Sequence, residues 1–249
     1  MGGPGRFGGH RKLARVIGSL RSLLFVPADA PERLVAAFAS EADAVVADLE
    51  DAVPAERKDV ARGVVAEALP GLGGAARLVR VNAVETGLTD ADLEAVAALE
   101  LDAIVLPKAT PGAVAALGPD GPPLIAIVES AIGLRLAYEI AVAERVVALV
   151  LGAADLGADL RLEPRGDALE LLYARSKVVA DSAAAGIRPP FDRVFAGRDD
   201  PEGLEADCRF ARSIGFGGKG CTHLGQPAVV NRVFGERRGG VAKAALFEP

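Results

Sequence analysis

From Ser22 onward short aliphatic runs alternate with Ala-rich amphipathic stretches, and the alternation continues without a break. Runs of four to seven residues rich in Val, Ile and Leu, apolar on both faces, are the pattern of parallel strands buried between two layers. Stretches with an apolar stripe at helical spacing are the elements that cover such strands. Eight strands are predicted, at 22–27, 44–49, 77–82, 103–107, 124–129, 146–152, 191–195 and 218–222. Helices are predicted between them at 31–39, 55–69, 90–99, 131–143, 168–185 and 201–213. Pro31 stands at a helix first turn, where its missing N–H costs nothing, and Thr89-Asp90-Ala91-Asp92 provides a polar, acidic helix start.

Eight strand-and-helix units within 249 residues predict an α/β fold, a single (β/α)₈ TIM barrel. An open doubly wound sheet is the alternative, but no Gly-x-Gly-x-x-Gly turn follows the first strand. The glycines from Gly215 to Gly220 precede a strand, which suits a tight entry into it and not a phosphate loop. No linker or composition shift marks a second domain. The expected organisation is a disordered basic leader over 1–20, a barrel over 21–235 and a short tail over 236–249. The leader carries Arg6, His10, Arg11, Lys12 and Arg15 among glycines and lacks the apolar core of a secretory signal.

Composition narrows the function classes. Hydrophobic residues make up 51% of the chain, yet no apolar run reaches the roughly 18 residues of a membrane span. A net charge of -6 argues against a nucleic-acid surface, which needs a basic footprint. Cys208 and Cys221 form no disulfide framework and no metal-ligand spacing, which fits a reducing cytoplasm.

In a barrel of this kind the reacting groups gather at the C-terminal ends of the strands. There the chain has Phe25 and Pro27, then Asp48, Glu50 and Asp51, then Arg80 and Asn82, then Lys108, Glu129, Asp155, Asp192, His223 and Gln226. Glu129 and Asp155 each follow an aliphatic run at equivalent points of successive units. Buried carboxylates need a positive partner, and two with no Cys or His beside them suit a hard cation such as Mg²⁺. The plainer alternative makes Glu129 the cap of the helix near Ala131 and puts Asp155 in an ordinary turn. Arg80 lies within a strand and must meet an anion, either a substrate carboxylate or Glu50 or Asp51. Only two histidines exist, and no Ser-His-Asp pattern is present, which disfavours zinc hydrolases and serine hydrolases. A metal that polarises a carbonyl and stabilises an enolate requires only oxygen ligands and nearby cations.

Several of these stretches together resemble a known family. They are Arg21-Ser22-Leu23-Leu24-Phe25-Val26-Pro27, Asp48-Leu49-Glu50-Asp51-Ala52-Val53, Arg80-Val81-Asn82, Leu106-Pro107-Lys108, Glu129-Ser130-Ala131-Ile132-Gly133 and Gly152-Ala153-Ala154-Asp155-Leu156. Asp199-Asp200-Pro201-Glu202-Gly203-Leu204 and Gly215-Phe216-Gly217-Gly218-Lys219 extend the set. In order and spacing they are similar to the motifs of the citrate lyase beta subunit-like family of acyl-thioester lyases, in the metal-dependent aldolase/citrate lyase superfamily. The resemblance covers Arg21 to Phe234. It implies a Mg²⁺-dependent carbon–carbon lyase for a short 3-hydroxy-acyl thioester of citryl-, malyl- or citramalyl-CoA type, acting through a metal-stabilised enolate.

Carried over residue by residue, the resemblance makes Glu129 and Asp155 the metal ligands, with Glu129 also at the substrate. Arg80 would hold the substrate's carboxylate or carbonyl oxygen, and Glu50 and Asp51 would be the acidic pair beneath the metal. Arg21, Lys58 and the Phe25-Val26-Pro27 loop would receive the thioester carrier, CoA or an acyl-carrier protein. A cytoplasmic homo-oligomer, trimer or hexamer, is implied as well. Two departures stand out. His223-Leu224-Gly225-Gln226 replaces the family's His-Pro-x-Gln, leaving the role of His223 open. The sequence ends at Pro249 without the further lid segment of relatives, which carries a Met-Val-Asp motif. The resulting expectations are a barrel lacking its lid and slow turnover. The alternatives are an aldolase on a free hydroxy-keto diacid and a weakly active acyl-CoA-binding subunit.

Overall fold

A computed structural model of the chain describes residues 17–236. Eight parallel strands pair in chain order and close into a barrel, with β8 returning to β1. They are β1 (Ser22–Pro27), β2 (Ala44–Asp48), β3 (Ala76–Arg80), β4 (Ala103–Leu106), β5 (Leu124–Val128), β6 (Val146–Leu151), β7 (Phe191–Asp192) and β8 (Gly218–Cys221). The covering helices are α1 (Pro31–Phe38), α2 (Lys58–Ala68), α3 (Thr89–Val96), α4 (Pro111–Ala116), α5 (Ala131–Arg135), α6 (Ala137–Ala141), α7 (Ala153–Asp159), α8 (Leu172–Ala184), α9 (Pro201–Ser213) and α10 (Gln226–Gly235). The predicted TIM barrel is therefore the fold.

Strand side chains alternate in direction, so each strand serves two cores. One set, including Leu23, Val46, Leu78, Val105, Ile125, Ile127, Val150 and Phe191, fills the barrel interior. The other set, including Leu24, Val45, Val79, Leu106, Ala126 and Leu149, packs under the helices. Ile17, 1% exposed, and Leu20 join the interior set. The boundary expected at residue 20 is thus set too late, because these apolar residues pack with the barrel interior. Residues 1–16 of the expected leader and 237–249 of the tail lie outside the described residues.

The other differences have local causes. The helix expected over 131–143 is two short ones, α5 and α6, because Leu136 leaves helical geometry at φ -100 and ψ 21. The one expected from 168 begins with a left-handed Ala168 and a 3₁₀ turn before α8. The seventh strand has two residues where five were expected: after Asp192, Arg193 pairs with Asp207 on α9. Helices α4, α7 and α10 were not predicted, although Thr110 capping α4 through Ala113 N–H, followed by Pro111, is a readable start signal. The glycine-rich entry into β8 is as expected. A Cβ on Gly218 would lie 2.3 Å from the carbonyl oxygen of Arg21, the residue just before β1.

Beneath α8 and α9 lies a buried ionic cluster. Arg175 and Lys219, both fully buried, donate to Asp192 at 2.6 Å each, and both also reach Asp207. Burial by itself would raise the Asp192 carboxyl, but the Lys219 ammonium and Arg175 guanidinium outweigh it and hold it down to about 2. A carboxyl depressed on folding contributes stability above its unfolded value, about 3.9, and loses it as pH falls through the folded one. We expect the melting temperature to drop between about pH 4 and pH 2. Asp192→Asn should melt lower at neutral pH but fall less steeply over that window, and parallel falls in thermal scans would assign the acid sensitivity elsewhere. Cys208 and Cys221 are free and buried, and burial pushes both thiols up to about 12, which leaves them inert.

Candidate active site

The register of the barrel assembles the first half of the site. Pro27, Asp48 and Arg80 are paired neighbours across β1, β2 and β3 and end the interior-facing series of their strands. Arg80 grips Asp48 with its planar fork, Nε to Oδ1 at 2.7 Å and Nη2 to Oδ2 at 2.6 Å. Its third nitrogen, Nη1, is 2.9 Å from Glu50 Oε2 and 3.6 Å from Asp51 Oδ2. The Phe25 ring lies under the guanidinium, 5.4 Å from its centre. The arginine therefore meets carboxylates of the fold, chief among them Asp48, whose partnership only the register reveals.

Electrostatics follows from this packing. Desolvation disfavours the Arg80 charge, but the hydrogen bonds and field of Asp48 hold it more firmly protonated than usual. Burial pushes the Glu50 carboxyl up to about 8 against the pull of Arg80, so it carries its proton at neutral pH. Lys58 donates from Nζ to the carbonyls of Leu49 and Glu50, both at 2.7 Å. It fixes the turn that carries the acidic pair.

The second half comes from β4, β5 and β6. Glu129 continues the interior series Ile125 and Ile127 at the next alternate position. Its Oε1 accepts the backbone N–H of Lys108 at 2.7 Å. Capping of α5 falls instead to Ser130, whose hydroxyl accepts from Gly133 N–H at 3.0 Å, so Glu129 is not a helix cap. Asp155 lies in the first turn of α7 and not in a plain turn, which places its negative charge at the favourable end of the dipole. The Lys108 ammonium lies 3.9 Å from Glu129 Oε1 and against Asp155 Oδ2. Burial raises the Glu129 carboxyl, and the Lys108 N–H and ammonium oppose it.

A cavity of about 350 Å³ joins the two halves, lined among others by Phe25, Pro27, Asp51, Arg80, Glu129 and Asp155 over a base of Ile127 and Val150. These residues fit a magnesium ion. The donors are all oxygen, and a single ammonium already contacts both carboxylates. Gly152, beside Glu129 across β5 and β6, leaves the space its carboxylate needs. A Cβ there would lie 2.4 Å from Glu129 Cβ and 2.6 Å from Oε2. Among the described residues no three His, Cys, Asp or Glu side chains are grouped so as to hold a metal ion, so water and substrate oxygens would complete the shell. Gly152→Ala is expected to push Glu129 aside and weaken Mg²⁺ binding about tenfold or more while the barrel stays folded. Calorimetric titration checks this, and wild-type affinity would show that Glu129 need not lie on Gly152.

Not every residue named from the sequence lines this cavity. Arg21 is not at this mouth: it precedes β1, at the opposite end of the barrel, where Nε and Nη2 bind Asp43 at 2.8 Å each and Nη1 donates to the Asn231 carbonyl. The expected carrier contact is corrected to a structural clamp, since β1 separates Arg21 from the Phe25-Val26-Pro27 end. His223 lines an adjoining groove with Phe25, Pro27, Arg33 and Arg198, and its backbone N–H donates to Gln226 Oε1.

Comparison with known proteins gives a consistent picture. The family model for HpcH/HpaI aldolase/citrate lyase matches residues 21–116 and 120–224. A (3S)-malyl-CoA thioesterase of Cereibacter sphaeroides is 38% identical over 220 residues, covering 86% of this chain and 76% of that protein. The citrate lyase beta subunit of Mycobacterium tuberculosis, solved with oxaloacetate and magnesium, is 35% identical with a TM-score of 0.80, covering 88% of this chain and 99% of that one. Protein CitE of the same organism, solved with magnesium, acetoacetate and coenzyme A, is 35% identical with a TM-score of 0.78, covering 92% and 84%.

Proposed function

The chain belongs to the HpcH/HpaI aldolase/citrate lyase family, and from that premise we propose that it is a Mg²⁺-dependent carbon–carbon lyase of short 3-hydroxy-acyl-CoA thioesters. The observation that carries this reading is the meeting of Glu129 and Asp155 around one positive charge at the barrel mouth that also holds Arg80. The magnesium, oxaloacetate, acetoacetate and coenzyme A of the solved relatives support it, because they are the cation, an oxo acid, a keto acid and the carrier such a reaction uses.

Glu129 and Asp155 would hold the ion. Bound there, Mg²⁺ supplies Lewis acidity toward the oxygens of the oxo-acid half. In the cleavage direction the 3-hydroxyl loses its proton and the C2–C3 bond breaks. The electron pair goes to the α-carbon of the thioester, which takes up a proton, so the products are an acyl-CoA and an oxo acid. Arg80, fixed in plane by Asp48, presents positive charge to the cavity where oxyanion charge develops, without having to reorganise. Glu50, protonated at neutral pH, and Asp51, on the cavity wall, are the acid and base candidates for the two proton movements. Phe25 and Pro27 form an apolar flank for the thioester arm.

Among the described residues no helix is long and apolar enough to cross a membrane. A cytoplasmic homo-oligomer completes the proposal. Incubation with (3S)-malyl-CoA and Mg²⁺, followed by product analysis, tests the reaction type. Acetyl-CoA with glyoxylate supports the lyase, whereas malate with free CoA would replace it by thioester hydrolysis, the activity in the name of the C. sphaeroides relative.

A further inference from the structure

Lys108 has no part in the steps above, yet its geometry is unusual. It follows β4 with a backbone φ of +47, the left-handed region that disfavours residues with a Cβ. That conformation lets one residue address Glu129 twice, through its N–H at 2.7 Å and through its ammonium at 3.9 Å, while the same ammonium contacts Asp155. Among the described residues no other cation is paired with Asp155.

Charge counting shows what this implies for a metal. Glu129 and Asp155 together carry two negative charges when ionised, which one ammonium half-neutralises and one Mg²⁺ neutralises fully. An ammonium remaining beside a divalent ion would be repelled, because the ion would already neutralise the two carboxylates that held it. The side chain is 30% exposed, so it has a route out to water. We propose that Lys108 occupies the cation seat in the metal-free protein and that Mg²⁺ binds by displacing its ammonium. The lysine thereby keeps two facing carboxylates compatible with a folded barrel mouth before the ion binds, and it lowers apparent Mg²⁺ affinity by competing for them. The inference rests on the Mg²⁺ reading above.

The test compares wild type, Lys108→Met and Lys108→Gly by magnesium calorimetry and by melting in EDTA and in saturating Mg²⁺. The glycine variant accepts the left-handed backbone without strain, so an ill-folded Met variant does not end the test. Both variants are expected to bind Mg²⁺ at least about tenfold more tightly, the scale of one unit charge at this distance. Both should also melt below wild type in EDTA, and saturating Mg²⁺ should erase the deficit. Unchanged or weaker Mg²⁺ affinity, or a deficit that Mg²⁺ leaves in place, would overturn the displacement and leave the metal site standing. No Mg²⁺ binding by any of the three proteins would overturn both.

Discussion

Glu129→Gln and Asp155→Asn are each expected to lower Mg²⁺-dependent cleavage by about a thousandfold or more, close to 4 kcal/mol of transition-state stabilisation. The size follows from geometry. Among the described residues only these two carboxylates meet around the Lys108 ammonium, so under the proposed reading losing one would leave a single protein ligand for an ion that is strongly hydrated in water. Neither change should unfold the barrel. Asp155 is 42% exposed, and Gln at 129 keeps an oxygen able to accept the Lys108 N–H. Steady-state kinetics with thermal scans separate the two effects. Near-normal turnover in both variants would move the chemistry away from these residues.

Arg80 is expected to behave differently, because the same side chain serves fold and site. Arg80→Met would strand the buried Asp48 carboxylate beneath the cavity. Removing one partner of a buried ion pair costs about 3–5 kcal/mol, which for a chain of this size lowers the melting temperature by roughly 10 °C. Arg80→Lys keeps the charge but cannot grip both Asp48 oxygens while reaching Glu50, so stability should fall less and turnover still fall markedly. Thermal scans of both variants beside their kinetics check the split. Unchanged stability in the Met variant would mean that buried Asp48 takes up a proton at little cost.

How far the sequence alone reaches depends on how local the signal is. The barrel was legible because eight aliphatic runs separated by amphipathic stretches admit few other closed arrangements. The positions of Glu129 and Asp155 at the barrel mouth could be read because Glu129 follows such a run directly and Asp155 comes four residues after the next run ends at Leu151. Asp48 stood at a strand end too, but its grip on Arg80 depends on β2–β3 register, which no local pattern states. Gly152 was visible only as a motif member, and its need appears once Glu129 lies across the β5–β6 seam. Arg21 was misplaced for the opposite reason: motif adjacency to Phe25 hides that a six-residue strand carries the two to opposite ends of the barrel. The residues at the helix breaks, Leu136 and Ala168, are themselves ordinary helix formers, so their own types do not announce the breaks.

The most direct test of the central claim is a magnesium titration of 3-hydroxy-acyl-CoA cleavage by the wild-type chain after EDTA treatment, run beside calorimetry on the same preparation. The account predicts no cleavage in EDTA and a rate that rises in proportion to calorimetric occupancy of one site, with acyl-CoA and oxo acid formed in equal amounts. Full-rate cleavage without metal, or saturated Mg²⁺ binding with no cleavage of malyl-, citramalyl- or citryl-CoA, would contradict it.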